Sequence, residues 1–362
     1  MPSLCGQPGN VAKNAKVSET VTLFVIHSRF SGGWEFEMTT RLLKFIRSGD
    51  RAAWLYTLQT TIAAPLVAAW LAVSMNSGNC KDLLAKYTYR DTQYLVSLVE
   101  DAARLMETMG DKAFDQFAQK NSRWLNSDYY LFAYTLEGST AFHPVRPEMV
   151  GQNVMDLKDM NGKPIIRQIT NIGRRPADDA SGWVFYLWED QTQITPSWKA
   201  AYIRKVVTPD RKTYVIGSGS YSIKVEKAFV EERVKRASRL LQSVGKAEAF
   251  KRFHSRASPF FFLDSYIFVL NEQGETLVDP AYPNRTGRAV VDFQDAVGFF
   301  AFKAALKKLE QDEEAWVQYL WPKPGNSAPS RKLIYVRKVK VGGEVFIVGS
   351  DFYLATPIWL RV

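Results

Sequence analysis

The feature that most constrains this chain is an internal repeat, because a repeated sequence folds into repeated structural units. When the sequence is shifted by 136 residues, positions 132–162 align with positions 268–298, and ten of the 31 aligned residues are identical. Average composition would give about two identities over that length. Shifts of 133 and 132 residues continue the match as far as Tyr221 and Tyr353. Because the offset drifts so little, we expect two copies of one domain with loops of similar length.

The hydrophobic pattern predicts the same order of elements in each copy. A long amphipathic helix comes first, with apolar residues at helical spacing, and it ends at Gly110 in one copy and at Gly245 in the other. A short helix, a β-hairpin, a Pro- and Gly-punctuated loop with a helical segment, and three strands follow. The fold class is therefore α+β, with a roughly five-stranded antiparallel sheet in each copy and the helices on one side of it.

The hairpin of the first copy, the loop and the next strand carry a spaced set of aromatic, glycine, proline and acidic residues. These residues are Phe132, Tyr134, Gly138, His143, Pro144, Gly151, Asn153, Asp156, Asp159, Gly162, Gly182, Trp183, Tyr186 and Trp188. In combination they resemble the Cache family, most closely the single-Cache type of bacterial chemoreceptors and sensor kinases, here in tandem. The resemblance implies PAS-like domains that lie outside the membrane and bind small molecules. We expect Cache domain 1 at residues 82–223 and Cache domain 2 at residues 224–362.

Candidate ligand-binding residues of the first copy combine aromatic rings with cationic and hydroxyl groups. They are Lys199, Tyr202, Arg204, Trp183, Tyr186, Trp188, His143 and Tyr221. Aromatic walls exclude water, and cations with hydroxyl donors then hold a carboxylate by charge-assisted bonds. The expected ligand is a small carboxylate of the acetate, pyruvate or dicarboxylate kind. Strand alternation sends Lys199 and Tyr202 to opposite faces unless the strand is bulged, so only about half of the set should touch ligand.

The second copy keeps much of this set but differs at two positions. Its equivalents are Lys332, Tyr335, Arg337, Trp316 and Trp321. Asp279 stands where the first copy has His143, and Asp351 stands where it has Gly219. A negative charge near an anion site lowers affinity, most strongly where water is excluded. We therefore expect the carboxylate in the first copy.

The N-terminal region predicts where the protein resides. Residues 52–80 contain no charged side chain and follow a segment, residues 1–51, that ends in Arg41, Lys44, Arg47 and Arg51. A basic flank before an apolar stretch is typical of a signal peptide or a transmembrane anchor, although a buried core helix is the alternative. Residues 1–37 fit neither a signal nor a domain, and Met38 offers another start. We expect the body on the periplasmic or extracellular face of a bacterial membrane, anchored at its N-terminus or secreted.

No catalytic constellation stands out in the sequence. Gly217-Ser-Gly-Ser220 ends a strand in both copies, whereas a nucleophile elbow needs a helix after its serine. Asp156 and Asp159 could act as an acid and a base, but capping explains them better in a Gly- and Pro-rich loop. Two cysteines and three scattered histidines predict no metal site, and we expect no cofactor.

These observations favour a ligand-binding sensor module that is not an enzyme. The net charge of +10 is spread along the chain without a basic run, so nucleic acid is not an expected partner. The expected partners are a small carboxylate and a separate membrane receptor or kinase through which the module signals. An extracytoplasmic enzyme and a purely structural interaction domain are the alternatives, and a homodimer through the long helices is left open.

Overall fold

The computed structural model describes residues 81–127, 129–190, 193–323 and 326–354. The N-terminal segment 1–51 and the apolar stretch 52–80 lie outside these residues, so the predicted signal or anchor stays a prediction. Among the described residues, none of the helices combines the length and the hydrophobicity that crossing a bilayer requires.

The first copy begins with a helix that ends where the sequence predicts. Gly110 follows this helix with a φ of 62°, a left-handed conformation that favours glycine. In chain order the elements are α1 (Arg90–Met109), α2 (Ala113–Phe117), β1 (Leu131–Thr135), β2 (Thr140–Phe142), α3 (Ile165–Gly173), β3 (Ser181–Trp188), β4 (Ser197–Val207) and β5 (Thr213–Ser220).

The second copy repeats this order. Its long helix is interrupted at Gly245, where φ is 77°, which confirms the predicted break. Its elements are α4 (Lys227–His254), β6 (Ile267–Asn271), β7 (Thr276–Val278), α5 (Ala301–Leu309), β8 (Glu314–Pro322), β9 (Pro329–Val341) and β10 (Glu344–Tyr353).

Each copy forms one five-stranded sheet, and the two sheets have the same topology. The strand orders are β2-β1-β5-β4-β3 and β7-β6-β10-β9-β8, and the neighbouring strands are antiparallel. Even the irregularity in the hairpin recurs, between Ala133 and Tyr134 and again between Val269 and Leu270. The predicted α+β fold with two five-stranded antiparallel sheets is confirmed.

Helices cover both faces of each sheet, so the expectation that they lie on one side is wrong. In the first copy α1 packs on the face that carries Tyr202, whereas α3 packs on the face that carries Ile203. The cause is visible in β4, where the consecutive residues 199–203 are all buried. A strand that buries successive residues needs a cover on each side. We call these surfaces the α1 face and the α3 face; α4 and α5 cover the corresponding faces of the second sheet.

Candidate ligand-binding site

A carboxylate holds the loop before β3 in place. Oδ1 of Asp159 accepts backbone N–H groups of Asn161 and Lys163 at 2.9 Å, and Oδ2 accepts that of Leu187 at 3.0 Å. Asp295 makes the same three bonds in the second copy, each at 2.9 Å. The aspartate therefore ties a turn to a strand in both copies, which favours the structural interpretation of this residue over acid–base catalysis.

Strand alternation divides the eight sequence-predicted residues between the two faces. Three of them, Trp183, Tyr202 and Arg204, lie on the α1 face. Nε1 of Trp183 donates to the Tyr87 hydroxyl at 3.0 Å, and the Tyr202 hydroxyl donates to Oε1 of Glu100 at 3.0 Å. Nη1 of Arg204 lies 2.8 Å from the other oxygen of that carboxylate. The structure does not bring these three residues together with the other five.

The α3 face is organised around a buried lysine. Lys199 is 1% exposed, and its Nζ donates to the Tyr130 hydroxyl at 2.5 Å. The same Nζ lies 3.9 Å from the ring centroid of Tyr130, 5.4 Å from that of Tyr221 and 5.7 Å from that of Phe132. No carboxylate of the described residues pairs with it, and burial lowers the pKa of Lys199 to about 7.

Tyr130 is the residue of this cluster that sequence reasoning missed. It precedes β1, and Tyr266 is its equivalent in the second copy at the same shift of 136 residues. Tyr130 is also in phase with Phe132 and Tyr134, which line the same face. Repetition and phase together were a signal that could have placed it beside Lys199, because alternate residues of a strand share a face.

His143 faces the same cluster as a neutral donor. It is 2% exposed, and its ring centroid lies 5.3 Å from that of Tyr130 and 6.4 Å from that of Trp188. Burial, together with the charges of Lys199 and Arg146, lowers the pKa of His143 to about 4. Its Nδ1 accepts the backbone N–H of Arg146 at 3.0 Å, so the proton of the neutral ring is on Nε2.

The remaining three residues form the walls of this region. Tyr186 is 4% exposed and meets Trp188 edge to face, with centroids 5.9 Å apart. Tyr221 turns its ring toward Lys199, but its hydroxyl donates to the backbone oxygen of Glu189 at 2.7 Å. Five of the eight predicted residues, His143, Tyr186, Trp188, Lys199 and Tyr221, thus share the α3 face.

A glycine lets the lysine lie close to the sheet. A Cβ atom added at Gly219 would lie 2.6 Å from Cε of Lys199 and 2.9 Å from the backbone oxygen of Ala200. A Cβ atom essentially never makes non-bonded contacts this short, so a larger residue would force the lysine to move. Gly219 therefore belongs to the site although it contributes no side chain.

The second copy has a different charge arrangement at the same place. Nζ of Lys332 lies 2.9 Å from Oδ2 of Asp351, and each side chain is 4% exposed. Asp279 takes over the turn bond of His143 by accepting the backbone N–H of Tyr282 at 3.0 Å. These groups line a cavity with aromatic walls whose empty volume, including its mouth, is about 370 Å³.

Two protein-family models match consecutive parts of the repeat. A Cache domain model matches residues 91–226, and the model for single Cache domain 2 matches residues 231–354. The methyl-accepting chemotaxis protein McpP of Pseudomonas putida is 30% identical over 91 residues. That match covers 25% of this chain and 16% of the chemoreceptor, so the aligned region is a small part of the relative.

Solved structures of sensor domains are also similar to this chain. One is a Cache chemosensory domain studied for carboxylic acid recognition, with 22% identity and a TM-score of 0.30, covering 34% of this chain and 90% of that one. Another is the ligand-binding domain of the Pseudomonas aeruginosa amino acid chemoreceptor PctB in complex with L-Arg. It is 12% identical with a TM-score of 0.24, and the match covers 71% of this chain and 84% of that one.

Proposed function

The chain is a tandem Cache domain protein, and we propose that it is an extracytoplasmic sensor module whose first copy binds a small organic carboxylate. Lys199 carries this proposal, because its ammonium group is buried among aromatic rings without an acidic partner in the described part of the chain. A buried charge without a partner is unfavourable, and an anionic ligand relieves that cost.

The neighbours of Lys199 supply the other groups that a carboxylate needs. Tyr130 and His143 each carry a neutral hydrogen-bond donor, the hydroxyl and the Nε2–H, and their ring centroids lie 5.3 Å apart. Tyr186 and Trp188 provide apolar walls that keep water out, which strengthens the charge-assisted bonds. Acetate, pyruvate and short dicarboxylates are the ligands that fit this chemistry.

The location and the partner are part of the same proposal. Cache domains are sensor modules of receptors and kinases on the outer side of a membrane, and the apolar residues 52–80 would anchor or export this one. A membrane receptor or a sensor kinase is the proposed partner. We propose no catalysis, because the contacts of Lys199 with aromatic rings and with the Tyr130 hydroxyl suit the binding of an anion.

A thermal-shift screen of the purified protein against small carboxylates tests the proposal. A ligand at one hundred times its Kd should stabilise the fold by about 2.7 kcal/mol. The same screen is run on Lys199→Met, which removes the charge, and on Lys332→Met as the matched control in the second copy. We expect Lys199→Met to lose the shift and Lys332→Met to keep it. A shift that survives in Lys199→Met, or no shift with any carboxylate, would contradict the proposal.

A further inference from the structure

We infer that Asp351 acts as a built-in carboxylate that occupies the anion site of the second copy, so that the residue at this strand position determines which copy is open to ligand. The inference rests on the proposed function of the first copy. It extends that function by assigning the selectivity between the copies to one position, glycine in one sheet and aspartate in the other.

The two residues occupy the same place in the two sheets. Gly219 of β5 pairs with Ala201 of β4, and Asp351 of β10 pairs with Ile334 of β9. In each case the buried lysine lies two residues earlier in the partner strand, on the same face. The two copies therefore place different residues at the same register of the sheet.

Two tyrosine rings lie near each of the two lysines. Nζ of Lys332 lies 4.9 Å from the ring centroid of Tyr353 and 6.0 Å from that of Tyr266. These rings are the equivalents of Tyr221 and Tyr130, whose centroids lie 5.4 and 3.9 Å from Nζ of Lys199. The second site differs by the carboxylate of Asp351, which lies 2.9 Å from the ammonium group.

The backbone holds this carboxylate in position. The backbone oxygen of Asp351 accepts a hydrogen bond from the hydroxyl of Ser265, and Nη1 of the buried Arg233 donates to the same hydroxyl. A group tethered at bonding distance competes at an effective concentration that a free metabolite does not reach. A soluble carboxylate therefore has little access to Lys332.

The other charged groups near Lys332 also disfavour an anionic ligand. Asp279 lies where the first copy has neutral His143, and its nearest ion-pair partner, Arg285, is 4.0 Å away. With Asp351 and Lys332 paired, the cavity has no excess of positive charge, because Asp279 balances Arg285. Removal of Asp351 would leave Lys332 without its ion-pair partner.

The decisive experiment measures carboxylate binding to the second copy after binding to the first copy has been abolished. Equilibrium dialysis of the full chain with labelled acetate, pyruvate and succinate measures the number of sites. We expect one site in the wild type, none in Lys199→Met and one in the double variant Lys199→Met/Asp351→Gly. Asp351→Asn in the same background fills the space without the charge and should bind none. One site in the wild type with none in the double variant would overturn the inference and leave the proposed function standing.

Two other outcomes are also decisive. If the double variant does not fold, Gly219→Asp tests the reciprocal change, and it should take the wild-type stoichiometry from one site to none; retention of that site would overturn the inference. If no probe binds the wild type, the proposed function fails, and the inference that rests on it fails with it.

Discussion

The two faces of the first sheet surround their cationic side chains with different partners, although these side chains are near each other on one strand. On the α1 face, Arg204 meets the carboxylates of Glu100 and Glu107 at 2.8 and 3.3 Å, and Tyr202 meets Glu100. On the α3 face, Lys199 meets aromatic rings and a neutral hydroxyl. Charges that find partners within the chain stabilise the fold, whereas a buried charge without one is available for a ligand. The predictions below test this division, starting with the largest effect.

The largest effect should follow a change on the α1 face. Glu100→Ala leaves Arg204 and Tyr202 without their shared acceptor in a buried site, and we expect it to lower the free energy of unfolding by about 3 kcal/mol. Urea denaturation measures this loss. Glu107→Ala is the control, because its half-exposed pair with Arg204 should contribute less than about 1 kcal/mol. Equal losses in the two variants would argue against a paired core on this face.

Removal of Lys199, which has no acidic partner among the described residues, should lower carboxylate affinity without lowering the free energy of unfolding. Lys199→Met keeps the side-chain volume and removes a buried charge, so the free energy of unfolding should stay constant or rise. Carboxylate affinity should fall about 100-fold, which corresponds to about 2.7 kcal/mol. Calorimetric titration and urea denaturation of the same preparation measure both quantities. A variant that loses stability and keeps its affinity would reverse the roles of the two faces.

The pH dependence of binding tests whether Lys199 is the counter-charge of the ligand. The protonated form of Lys199 binds an anion better, and a bound anion raises the pKa of this lysine from about 7. Affinity should therefore be full below pH 7 and fall by up to about tenfold per pH unit as the pH rises above 7. His143, with a pKa of about 4, stays neutral throughout this range, so it does not add to the slope. Titrations between pH 6 and 9 that gave a constant Kd would exclude Lys199 as the counter-charge.

The smallest effect concerns a hydroxyl on the α1 face. Tyr202→Phe removes one buried hydrogen bond to Glu100 and should cost about 1 kcal/mol of stability without changing ligand affinity. Tyr130→Phe is its counterpart on the α3 face and should weaken carboxylate binding several-fold. The two variants are compared by thermal denaturation and calorimetry. Weaker binding in Tyr202→Phe alone would place the ligand on the α1 face.

Local pattern explains what the sequence could predict here, and long-range pairing explains what it could not. The repeat and the glycine positions predicted both sheets and the helix ends at Gly110 and Gly245. The partner of Lys199, however, is Tyr130, 69 residues earlier in the chain, and strand pairing alone brings them together. The packing of α3 on the second face of the sheet was not predicted for a related reason. The apolar side of α3 indicates this packing only when both faces of β4 are taken to be buried. The ligand residues themselves stay predictions.

The shared turn at Asp159 and Asp295 has a consequence for how such proteins diversify after gene duplication. In each copy this carboxylate bonds to the backbone of a turn and a strand and lies outside the lysine cluster, so a change at Gly219 or Asp351 leaves its hydrogen bonds in place. Codons for glycine and aspartate differ by one base. A point mutation in a duplicated sensor can therefore abolish ligand binding in one of its two domains. That domain keeps its fold and can later evolve a new specificity.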